Sequence, residues 1–98
     1  MSKTFILKGK QLIPCDDLLK WATEFESTDH RVAVSEQNDV RVSTVFLGVD
    51  HSFGKSKPLL FETMIFGGEH DQFQERCSTW QEAEQMHQRA CKLVGIEP

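Results

Sequence analysis

The chain has 98 residues, of which 39% are hydrophobic and 27% charged, and its net charge is −4. A chain of this length closes around one core and buries about two thirds of the surface it exposes when unfolded, which predicts a single domain over residues 1–98 and excludes wholesale disorder. Its longest apolar run, residues 45–49, is far short of the roughly 20 residues that span a bilayer, and its only local basic pairs are Lys8 with Lys10 and Lys55 with Lys57, so neither membrane nor nucleic acid is an expected partner.

Thr4 to Leu7 favours a first strand, turned by Lys8-Gly9-Lys10. Leu18, Trp21, Ala22 and Phe25 then form the i, i+3, i+4, i+7 stripe of an amphipathic helix, with Cys15 or Asp16 at its start. Residues 31–35 alternate as a strand, 36–39 make a polar turn, and the β-branched run 40–49 reads as a central strand in which Gly48 marks a bulge or a close backbone approach. A polar loop, 50–58, leads to a second strong strand, 59–66, ended by Gly67-Gly68, and residues 72–77 add an edge strand. Thr79-Trp80-Gln81-Glu82 matches a capping box that opens a helix whose stripe runs through Trp80, Ala83, Met86, His87, Ala90, Leu93 and Val94 to Gly95. The expected fold is therefore α+β: an antiparallel sheet in the order β-α-β-β-β-β-α, with both helices packed on one face.

Cys15, Cys77 and Cys91 are odd in number and unpaired in spacing, and the first residues carry no signal-peptide pattern. Reduced thiols in a cytoplasmic protein are expected, and Cys77 and Cys91 sit too far apart along the final helix to bridge. Asp50-His51, Glu62 and Glu69-His70-Asp71 invite a metal, yet the hairpin between residues 40 and 66 puts Asp50-His51 at one end and His70-Asp71 beyond the other, and no recognised ligand spacing is present. No metal and no cofactor are predicted. His87 and Cys91 lie one helical turn apart and could form a thiol–imidazole pair; the simpler reading makes them a boundary histidine and a packing residue.

Glu62 interrupts an apolar strand and needs a partner, with Arg31, Arg41 and Ser43 as candidates, unless it faces solvent or anchors a ligand. The loop around Asp50, His51, Phe53, Lys55 and Lys57 has the composition of a contact surface. Phe53 either folds back over the core or points outward to meet a partner. Nucleotide-binding glycine loops and nucleophile elbows are missing, which disfavours an enzyme without excluding one.

The strings Arg41-Val42-Ser43-Thr44-Val45-Phe46-Leu47-Gly48-Val49-Asp50-His51, Pro58-Leu59-Leu60-Phe61-Glu62-Thr63-Met64-Ile65-Phe66-Gly67-Gly68 and Ser78-Thr79-Trp80-Gln81-Glu82-Ala83 resemble a family of small uncharacterised proteins encoded by bacteriophages and prophages. Members carry an aromatic where this chain has Cys77, so the resemblance gives Cys77 no role. It implies a small accessory protein in the host cytoplasm that binds a host protein, such as a defence component. An exposed sheet face or edge would make a homodimer a further option. Sequestration of a small metabolite or signalling nucleotide, with Glu62 as polar anchor, is the alternative. A metal- or thiol-dependent enzyme using Asp50, His51 or His87 with Cys91 is a third.

Overall fold

Strand residues two apart share a face. In β4 (Val40–Phe46) the alternate side chains Val42, Thr44 and Phe46 are buried while Arg41 is exposed, and in β5 (Phe61–Phe66) the same holds for Phe61, Thr63 and Ile65. A computed structural model describes residues 3–54 and 57–98. Its remaining elements are β1 (Phe5–Lys8), β2 (Gln11–Pro14), α1 (Leu18–Ser27), β3 (Arg31–Gln37), β6 (Gln74–Cys77) and α2 (Trp80–Val94). The class is α+β, with an antiparallel four-stranded sheet in the order β3-β4-β5-β6 and a separate antiparallel hairpin, β1-β2.

Strand β2 is an addition to the expected elements. Only Leu12 within it is even half-buried, so its sequence carries no strand periodicity, and pairing with β1 is what makes it a strand. The turn between β3 and β4 narrows to Asn38-Asp39, both with positive φ, the two-residue hairpin geometry that suits the twist of the flanking strands.

Helix α2 lies across β3, β4, β5 and β6 and is set by the expected capping box: Glu82 N bonds Thr79 Oγ1 at 3.1 Å and Glu82 Oε1 accepts from Thr79 N, also at 3.1 Å. It buries Ala83, Met86, His87, Ala90 and Cys91 against the sheet. One apolar cluster gathers Leu7, Phe46, Leu60, Phe61, Ala83 and Met86, and a second gathers Val42, Ile65, Ala90, Cys91 and Ile96. Helix α1 reaches the same face at its margin, where the Phe25 and Phe46 ring centroids are 6.1 Å apart, and Trp21 Nε1 donates to the Phe5 carbonyl at 2.9 Å. Its N-cap is Asp17 rather than Cys15 or Asp16. Leu18, the first residue of the expected stripe, faces outward with 67% of its surface exposed, because α1 docks through its second and third turns.

Gly48 lies two residues beyond the end of β4. Its φ is +75°, and a Cβ there would stand 2.6 Å from Cε1 of Phe25. The expected close approach is thus real, and only glycine fits it. Gly48→Ala is predicted to lower the unfolding free energy by about 2–4 kcal/mol, combining left-handed strain with overpacking. Gly54→Ala carries the same kind of φ with nothing within 4 Å of the added carbon and should lose only about 1–2 kcal/mol. Urea unfolding of both variants checks this, and equal losses would contradict it.

Candidate functional site

After Gly48 the chain is tied to the N-terminal strand: Phe5 N donates to the Gly48 carbonyl at 2.8 Å and Asp50 N to the Lys3 carbonyl at 2.8 Å. The other limb returns with His51 N on the Leu59 carbonyl at 3.0 Å and Leu47 N on the Leu60 carbonyl at 2.7 Å. Between these limbs the Asp50 carboxylate braces the loop. Its Oδ1 accepts from Ser52 N at 2.7 Å and from Leu59 N at 2.9 Å, and its Oδ2 from the Ser52 hydroxyl at 3.0 Å. An aspartate bonding the backbone two residues on is a stock device of turns; here it also spans nine residues to close the loop's base. Burial disfavours the charged carboxylate, but the bonds from Ser52 and Leu59 outweigh it and hold Asp50 below the usual aspartate range.

Ser52 is buried, and its hydroxyl in turn accepts from Gly54 N at 3.3 Å. The residue between them is thrown outward. Phe53 has φ +56° and 86% of its surface in solvent. A bulky residue in left-handed backbone is an outlier that persists only where its surroundings over-determine it, and such outliers cluster at ligand clamps and functional loops. Phe53 therefore does not cap the core. Lys57 is exposed beside it in sequence, and Lys55 lies outside the described residues.

The remaining candidates are elsewhere. Glu62 sits on the sheet face away from α2, where its Oε2 accepts from Arg76 Nε at 2.9 Å and from the Gln74 side chain. Its partners come from β6, not from Arg31, Arg41 or Ser43, because the β5–β6 register puts Arg76 directly opposite. Asp71 closes the turn after β5 by accepting from Gly67 N at 2.7 Å. The β4–β5 ladder runs from Phe46 opposite Phe61 to Arg41 opposite Phe66, which holds Asp50-His51 and His70-Asp71 at opposite ends. Among the described residues no three His, Cys, Asp or Glu side chains converge to hold a metal ion.

His87 makes a site that spacing did not reveal. Its Nε2 lies 2.9 Å from the Ser35 hydroxyl and its Nδ1 2.8 Å from Thr44 Oγ1, which bonds Thr63 Oγ1 in turn. All four residues are buried. Cys91, one turn on, packs against Val42 and Ile65 instead of bonding the imidazole. The chain Ser35, His87, Thr44, Thr63 separates the two apolar clusters and leaves every polar atom in it bonded, the condition for burying polar groups cheaply. A cleft of about 280 Å³ beside His87 is lined by Val32, Ala33, Glu84, Gln88 and Pro98, and Ser35 is not on its wall. No carboxylate bonds the imidazole, so a charge-stabilised nucleophile is not assembled there. Burial pushes the Cys77 thiol up to about 11, the reverse of an activated thiolate.

Comparison with known protein families, with curated proteins and with solved structures finds no match to this chain. No helix among the described residues is long and apolar enough to cross a membrane.

Desolvation holds the His87 imidazole below the ordinary histidine value of 6.5. In the unfolded chain that ring titrates normally, so below pH 6.5 the unfolded state takes up a proton the folded state refuses. Stability from this residue is whole above that pH and falls as the solution is acidified. Unfolding midpoints measured as pH drops from about 7.5 to about 5.5 should decline less steeply in His87→Gln, which keeps a donor and an acceptor but does not titrate. Parallel declines would contradict the assignment.

Proposed function

We propose that this protein acts by non-covalent binding of another protein, a host protein in the phage setting, and that the loop around Phe53 is its contact. The observation that carries this reading is the 86% exposure of Phe53 between Ser52 and Gly54, whose backbone N–H groups bond the Asp50 carboxylate and the Ser52 hydroxyl. A large aromatic held in solvent stabilises nothing in the free protein and costs backbone strain. The same arrangement suits association, because a rigid aromatic anchor loses little conformational freedom on docking and buries a large apolar area. The resemblance to small phage-encoded accessory proteins supports a host protein as the class of partner, and cytoplasmic action goes with it. Asp50 and Ser52 serve as positioning residues, Phe53 is the anchor, and His51 and Lys57 belong to the same loop.

Burying one phenylalanine at an interface is worth about 1.5–3 kcal/mol, so Phe53→Ala should weaken binding roughly ten- to a hundredfold while the fold is untouched. Asp50→Ala keeps the aromatic but releases the loop, and should weaken binding as well. The test is quantitative affinity capture from host extract with the wild type and both variants, each first shown to be folded by circular dichroism. A protein retained by the wild type and depleted on both variants is the expected result. Identical retention, or a wild type that retains nothing above background, would contradict the proposal.

A further inference from the structure

Strand β3 is an edge of the four-stranded sheet, and among the described residues nothing pairs with its free side. Seven residues long, it is a substantial edge, whereas the opposite edge, β6, has only four. Natural sheets blunt such edges with bulges and with like charges that repel a second strand. Here a bulge is present between Arg31 and Ala33, but its effect on the charges is the opposite of blunting.

The β4 partners show why. Val34 is opposite Ser43, Glu36 opposite Arg41, and Arg31 opposite Val45. Arg31 and Glu36 therefore stand two ladder positions from Val34 in opposite directions. Without the bulge Arg31 would fall on the other face, since residues three apart in a regular strand point to opposite sides. With it, Arg31, Val34 and Glu36 share the face turned away from α2, and all three are exposed.

We infer that β3 is the docking edge for a second copy of this chain, joined antiparallel about a two-fold axis through Val34. That register sets Val34 against its own copy and places Arg31 opposite Glu36 of the partner subunit twice over, so the two charges complement each other instead of repelling. In an isologous contact each favourable pair is made twice. Arg31 already contacts Asp29 in its own chain through Nε and Nη2, at 3.2 and 3.4 Å, which leaves Nη1 of the guanidinium for a second carboxylate. The product is a continuous eight-stranded sheet with both α2 helices on one face, and a partner strand gives the free N–H and C=O groups of β3 their missing bonds. This edge is independent of the Phe53 loop, so either proposal can fail without the other.

Sedimentation equilibrium over a concentration series tests it. The wild type should dimerise reversibly. Arg31→Glu sets glutamate against glutamate at both positions and should raise the dimer dissociation constant about tenfold or more, and Glu36→Arg should do the same. The double variant R31E/E36R restores opposite charges across the axis and should recover dimerisation, while Phe53→Ala should leave it unchanged. Circular dichroism establishes that each variant is folded. A wild type that stays monomeric throughout the series, a dimer indifferent to Arg31→Glu, or a double variant no better than the single ones would overturn the inference.

Discussion

Residues two apart on a strand share a face, and in β4 and β5 this brings Val42, Thr44, Phe46, Phe61, Thr63 and Ile65 together beneath α2. Their registry is what α2 needs. A helix with Ala83, Met86, His87, Ala90 and Cys91 along one side can settle only where apolar side chains meet apolar ones and where His87 finds hydroxyls for both ring nitrogens. Slipping β4 by one residue would turn Thr44 to the other face and leave the buried imidazole short of a partner, and slipping β5 would take Thr63 away from the Thr44 hydroxyl. The ladder thus fixes the position of α2, and the polar band within it specifies the register.

The same ladder keeps the candidate groups apart. By holding the Asp50 end and the Asp71 end of the hairpin apart, it assigns each carboxylate to its own turn: Asp50 to Ser52 and Leu59, Asp71 to Gly67. Glu62, midway, is matched by Arg76 across the β5–β6 pair. Asp50, Glu62 and Asp71 are thereby occupied with backbone and ion-pair bonding. Among the described residues of the loop, Phe53 is the large apolar side chain turned to solvent.

Much of the architecture was legible because it rests on local patterns. The capping box at Thr79 and Glu82, the β-branched run of β4, and Gly48 as a close approach all follow from a few neighbouring residues. Features set by distant partners were not legible. Strand β2 exists through β1, the exposure of Leu18 depends on where α1 docks, and Arg76 reaches Glu62 only once the β6 register is known. The Ser35, His87, Thr44 and Thr63 chain joins three strands and a helix, so helical spacing alone shows Cys91 as a packing residue but makes His87 a boundary histidine, where the structure buries it among hydroxyls. At Phe53 the sequence favours folding back over the core, and the structure turns the ring outward instead, since its direction follows from which backbone groups Asp50 captures.

The account stands on Phe53 being held in solvent by backbone that the Asp50 carboxylate braces. Nuclear magnetic resonance with a soluble paramagnetic probe measures this directly, because signals fade in proportion to their contact with solvent. The Phe53 ring should fade strongly while the rings of Phe46 and Phe61 stay unaffected and the Leu59 amide, bonded to Asp50, exchanges slowly. A Phe53 ring as shielded as Phe46, or a Leu59 amide exchanging like an open coil, would contradict the account.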